Sequence, residues 1–230
     1  MTPFEILNNF LGYGCPKGRF WFIGVEEGSP WDLNSPDDLQ KLSDCEKAGK
    51  FMPSAQHDDL VHVIYPVISK FASGFVGGSV DSIANWEAYR KDELFQCGSE
   101  TCQCNLYPLG KQQVWPDNYL RDFGYGPSPE DQAAYEQQVR ATRFVALRAA
   151  WKRYAPRVTI CFGRRWEDFK TLLEIPPDSV GDPIAVPNRE KFGEAFVPAG
   201  VIMTPHFARG HMSDDRIRAV VKYVVDKGWC

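Results

Sequence analysis

Residues 19–31 read RFWFIGVEEGSPW. The run from Phe20 to Gly24 is apolar without interruption, which predicts a short strand buried on both faces, because a strand with one wet face alternates polar and apolar positions. The chain then turns polar at once. Glu26 and Glu27 precede Gly28, Ser29 and Pro30, residue types suited to a tight turn where backbone approaches something closely. Three further segments have the same strand-then-loop character: Cys102 to Gly110 (CQCNLYPLG), Arg157 to Gly163 (RVTICFG) and Val201 to Pro205 (VIMTP).

Helical periodicity fills the intervals. Thr2 to Phe10 has a capping threonine and Pro3 at its first position. Asn34 to Lys47, Asp58 to Phe71 (with Pro66 denting it or marking its start), Trp86 to Phe95 and Trp166 to Leu173 follow as further helices. Gly74 to Gly78 reads as loop. Glu130 to Tyr154 is the clearest helix, started by Ser128 and Pro129, stopped by Pro156, with Val139, Val145 or Leu147 and Trp151 inward and its arginines outward. Ile184 to Phe196 has the pattern of a hairpin, and Ser213 to Lys227 closes the chain as an amphipathic helix. Long helical crossovers between short apolar strands predict an α/β fold, a three-layer α/β/α domain over residues 1–230 with a short, mainly parallel sheet of about four strands.

Composition narrows the class. The 230 residues are 43% apolar and 24% charged, ordinary for a globular protein, and no run approaches the length of a membrane span. Without a basic segment leading into an apolar core at the N-terminus, the expected location is cytoplasmic. Seven cysteines, an odd number in a chain large enough to build a core unaided, predict reduced thiols. The net charge of −4 carries no global signal for nucleic acid, but Arg140, Arg143, Arg148, Lys152, Arg153, Arg157, Arg164 and Arg165 crowd one third of the chain and leave room for a local basic face.

In a parallel sheet the carboxyl ends of the strands lie on one side, where ligands bind. That rule gathers Glu26 and Glu27 after the first strand, Asn105 at the end of the second, and His206 after the fourth. The order of motifs resembles the uracil-DNA glycosylase superfamily. Gly24-Val25-Glu26-Glu27-Gly28, Gly49-Lys50-Phe51-Met52, Asn105-Leu106, Phe162-Gly163 and His206-Phe207-Ala208 stand in the order of that superfamily's loops and strand ends, over residues Phe20 to about Lys227. There are departures. Glu27 stands where the superfamily has proline, Met52 near a position usually small or polar, and Phe207-Ala208 in place of Pro-Ser.

The resemblance implies a DNA glycosylase that extrudes a base and hydrolyses its bond to the sugar, acting as a monomer and without cofactor. It implies that Glu26, or Glu27 beside it, positions water and stabilises an oxocarbenium-like sugar, that Phe51 stacks on the flipped base, that Asn105 reads its edge, and that His206 stabilises the departing base. The chemistry explains these residue types: cleavage builds positive charge on the sugar and negative charge on the base, which a carboxylate and an imidazole stabilise from opposite sides. In the last loop Arg209 is expected to meet phosphate or occupy a groove, His211 to meet phosphate or stand in for His206, Met212 to wedge between bases, and Ser213 to cap a helix whose amides favour a phosphate. A catalytically silent DNA-binding relative of the same fold is the alternative. Cys97, Cys102 and Cys104 match neither a zinc ribbon nor an iron–sulfur spacing, so no metal is expected and buried thiols are.

Overall fold

A computed structural model describes residues 1–26, 32–52, 64–96, 98–109, 123–124, 128–187, 189–208 and 210–230, with backbone alone at 26 and 198. The described elements run α1 (Pro3–Asn9), β1 (Gly12–Gly14), β2 (Phe20–Glu26), α2 (Pro36–Ala48), β3 (Phe51–Met52), α3 (Ile64–Val76), α4 (Trp86–Asp92), β4 (Thr101–Tyr107), α5 (Pro129–Tyr154), β5 (Val158–Phe162), α6 (Trp166–Leu173), β6 (Asp182–Ala185), β7 (Lys191–Phe196), β8 (Val201–Thr204) and α7 (Asp214–Asp226). The fold is α/β. None of the described helices is long and apolar enough to cross a membrane.

The four apolar runs become the four inner strands. They lie parallel in the order β4-β2-β5-β8. Phe20, Trp21, Phe22 and Ile23 are fully buried, Trp21 and Ile23 in the core under α1, α2, α5 and α6, Phe20 and Phe22 in the core under α3, α4 and α7. Each such side chain contributes about 1.5–3 kcal/mol by leaving water, which is why a run buried on both faces can dispense with alternation.

Among the described residues the sheet has eight strands rather than about four. β1 runs antiparallel to β4 and carries β3 on its outer edge, while the expected hairpin, β6 with β7, joins the same sheet through an antiparallel pairing of β7 with β8. Strands of three and two residues are too short to show a period, and a hairpin's alternation does not say which edge it extends. In α3, Pro66 lies in the first turn, where a missing N–H costs nothing. Gly74, expected in a loop, is helical because α7 packs against it: a Cβ there would lie 2.8 Å from Val221 Cγ1.

Helix α5 begins with a reciprocal cap, Asp131 N–H donating to Ser128 Oγ at 3.1 Å and Ser128 N–H to Asp131 Oδ2 at 3.3 Å. Val139 and Leu147 face inward as expected, whereas Val145 is exposed. The arginines do not all face outward. Arg143 is buried and spreads its guanidinium over main-chain carbonyls: Nε donates to Asn105 O at 2.9 Å, Nη1 to Leu7 O at 2.9 Å, to Asn8 O at 3.1 Å and to Phe10 O, and Nη2 to Leu11 O at 3.2 Å. One side chain thus satisfies the C-terminal carbonyls of α1 and the end of β4. Arg143→Met should lower the unfolding free energy in urea titration by about 3 kcal/mol or more, since each buried acceptor left unpaired costs about 1–3 kcal/mol. Arg143→Lys should recover only part of that loss, because one ammonium cannot reproduce the fork.

Candidate functional site

From β2 the chain crosses to β4 on one side, then to β5 on the other. The carboxyl ends of β2 and β5 therefore flank the point where strand order reverses, the usual crevice of an open parallel sheet. Gly24, on β2, is in register with Asn105 of β4 and Phe162 of β5. It has no side chain, and both neighbours use the space: a Cβ at Gly24 would sit 2.5 Å from Asn105 Oδ1 and 2.9 Å from Phe162 Cζ. Asn105 is buried, and Arg143 holds its carbonyl.

His206 follows β8 by two residues, and Ala208 N–H donates to its Nδ1 at 3.0 Å. A ring nitrogen that accepts cannot carry the proton, so in the neutral imidazole the proton sits on Nε2. The ring stands edge-on to Phe162, centroids 6.0 Å apart, while Phe207 stacks on Phe162 at 4.1 Å and meets Phe71 of α3 at 5.4 Å. Buried Phe207 thereby anchors the loop. Beside His206 opens a cleft of about 390 Å³ lined by Gly163, Arg164, Trp166, Pro205, His206 and His211.

Behind the 163–166 wall lies an ionic network. Arg165 clamps Glu136 with both guanidinium arms, Nη2 to Oε1 at 2.6 Å and Nη1 to Oε2 at 3.2 Å. Arg140 bridges Glu136 (3.1 Å) and Asp168 (2.9 Å), and Tyr107 OH donates to Asp168 Oδ2 at 2.9 Å. Burial pushes the Glu136 carboxyl up, but the Arg165 hydrogen bonds and charge outweigh it and hold the group below its usual value. Burial, then the Asp168 carboxylate, raises the Tyr107 phenol and keeps it a donor. Most of the basic cluster is engaged in this way: Arg143 is buried, Arg148 and Lys152 meet Glu174 at 3.4 and 2.5 Å, and Arg157 donates to Cys230 O. These partners offset much of the basic face for which the sequence left room, although Lys152, Arg153 and Arg157 stay exposed. Arg164, exposed on the cleft, forms no ion pair among the described residues.

No protein-family model matches the chain, and no curated protein matches it.

The expected site residues separate into groups. Asn105 lies across β2 from Phe162, His206 follows the neighbouring strand β8, and His211 joins the cleft. Glu26 closes β2 in register with Tyr107, its side chain lying outside the described residues, as do Glu27 and Arg209 altogether. Phe51 is a correction: on β3, at the sheet's edge, its ring packs on Trp21 at 5.9 Å and Tyr154 at 6.2 Å, in the core of the opposite face from Asn105. It is half-buried and packs against the core of that face. Met212 is another correction, buried in the core under α3 and α7 and not offered as a wedge. Ser213 does cap α7, accepting from Arg216 N–H at 3.4 Å, but Asp214 and Asp215 fill the first turn and oppose a phosphate there.

Cys102 and Cys104 are buried free thiols with sulfurs 3.9 Å apart, and burial pushes the Cys102 thiol up. Cys97 lies outside the described residues, and among these no group of three His, Cys, Asp or Glu is placed to hold a metal. Phe162, Arg164 and Trp166 were missed as site residues. The signal for them was present, since Phe162-Gly163 ends a parallel strand and the same rule that singled out Asn105 extends to the residues just after it.

The network makes a pH prediction. Because the folded value of Glu136 lies below its unfolded one, its contribution is present above the ordinary glutamate value of 4.5 and is lost as pH falls through the folded value. Thermal unfolding should show Glu136→Gln less stable than wild type at pH 7, with the gap closing on acidification below 4.5. A gap independent of pH would mean that the carboxylate charge is not what holds Arg165.

Proposed function

We propose that this chain is a DNA base glycosylase, a divergent relative of the uracil-DNA glycosylase superfamily, that hydrolyses the N-glycosidic bond of an extruded uracil-like, damaged or modified base. The observation that carries the reading is the meeting of a buried amide, Asn105, and an imidazole in its Nε2–H form, His206, on either side of Phe162 at the crossover point of a parallel sheet. An extruded base needs an amide to pair with its edge, an aromatic surface beside it and a donor for the charge it carries away.

In the reaction a water oxygen bonds to C1′ of the sugar, the electron pair of the broken C–N bond goes to the base nitrogen, and the base leaves to be protonated. A neutral Nε2–H donor stabilises the growing negative charge on the base. Glu26, at the end of the strand beside Asn105, is the carboxylate for the sugar cation and its water.

The test is an abasic-site assay on single- and double-stranded oligonucleotides carrying uracil, hypoxanthine, xanthine and modified bases. Wild type should open one of them, and His206→Ala and Glu26→Gln should each slow single-turnover cleavage by about 10² or more while binding holds, the scale of one positioned group. Release of no base from any member, with oligonucleotide binding intact, would leave the silent DNA-binding relative in its place. Gly24→Ala examines the geometry separately. Its methyl displaces Asn105 or Phe162, so cleavage of the true substrate should fall at least tenfold, on the order of one lost base contact, with binding to an abasic analogue little changed. Equal losses on both would remove Asn105 from base recognition.

A further inference from the structure

The cleft beside His206 holds chemistry that base removal does not use. Trp166 is half-buried: part of its indole packs on the core under α5 and α6, the rest lines the cleft, and its Nε1–H is already spent on Gly163 O at 3.0 Å. With its polar handle satisfied, the ring has only apolar π surface to offer. Arg164, two residues earlier, is exposed on the same wall with no ion pair among the described residues, in a region where the other cations are mostly engaged. On the facing loop stands His211, whose carbonyl accepts from Arg216 Nη1 at 2.6 Å.

An aromatic platform beside an uncompensated guanidinium is the pairing that binds unpaired nucleotides, the ring stacking on a base and the cation meeting a phosphate. We infer that this cleft takes the nucleotide next to the extruded base, with Trp166 as its stacking platform and Arg164 as its phosphate contact, and that the substrate is single-stranded DNA. The inference rests on the reading of the strand ends as a base-removal site. His206 is the shared wall, with Phe162 on one side and Trp166 on the other. In a duplex the neighbouring base stays paired and stacked on its far side, so it does not swing free into a separate cleft. In a single strand it does. A volume of about 390 Å³ falls within the range of small-ligand sites and is ample for one base and its sugar.

Fluorescence anisotropy with a labelled, uncleavable twelve-nucleotide single strand and its duplex tests this without requiring catalysis. Wild type should bind the single strand more tightly. Trp166→Leu, which keeps apolar packing and loses the platform, should weaken single-strand binding about tenfold or more and leave duplex binding alone, with Trp166→Phe recovering most of the loss. Arg164→Ala, at an exposed position that folding does not depend on, should flatten the slope of log affinity against log salt by about 0.7 on the single strand. Equal wild-type affinity for both forms overturns the inference, as does an Arg164→Ala variant with unchanged affinity and salt slope. If a base is released but Trp166 and Arg164 make no difference, this inference alone fails. If the single strand binds as described but no base is ever released, the glycosylase reading fails, and what stands is Trp166 and Arg164 as a single-strand contact.

Discussion

Arg143 is the contact on which the arrangement of the strand ends depends. Its guanidinium accounts for carbonyls from Leu7 to Leu11 and, through Nε, for the carbonyl of Asn105. A helix end buried with unpaired carbonyls is costly, and a strand end in the same region adds another. A single rigid fork on α5 meets both demands. The consequence reaches the candidate site, because the main chain of Asn105 is fixed at the residue whose side chain lies over Gly24. On the base-removal reading, what pairs with a base is thus held by a helix that never touches it.

Charge is arranged with the same economy. A chain of net −4 has no general attraction for a polyanion, so any affinity must come from a few cations left uncompensated in the right place. Glu136, Asp168 and Glu174 draw Arg140, Arg165, Arg148 and Lys152 into structural pairs. Arg164 escapes because its neighbour takes the carboxylates. Arg165 does two things at once, fixing the start of α6 and shielding the acids that would otherwise compete for Arg164.

The parallel core was legible in the sequence because strands buried on both faces have no alternation to hide, and Phe20 to Ile23 announces itself by residue type alone. Helix ends were legible where a cap is written in side chains, as at Ser128 and Ser213. What was not legible is which face a residue occupies when its type serves two purposes. Phe51 in a Gly-Lys-Phe-Met stretch and Met212 beside a helix cap both satisfy a motif, yet each is drawn into the core by neighbours, Trp21 and Tyr154 for one and the α3–α7 layer for the other, that no local pattern reveals. Arg143 misled for the opposite reason: an arginine on an amphipathic helix is expected in water unless several acceptors converge on it from far along the chain.

On the base-removal reading, Phe207-Ala208 standing where the superfamily it resembles has Pro-Ser bears on the role given to His206. A proline at this position would stiffen the loop by fixing its own φ. Phe207 gives stiffness by another route, since its ring lies against Phe162 and Phe71 and cannot leave without exposing a large apolar surface. Ala208 lacks a hydroxyl, but the bond that sets the His206 tautomer comes from its main-chain N–H, which any residue except proline supplies. Phe207 and Ala208 act as a pair: packing holds the loop, and backbone orients the imidazole. On the base-removal reading, a loop held in this way meets what that role asks of His206, a fixed ring with its proton on Nε2, without a Pro-Ser sequence.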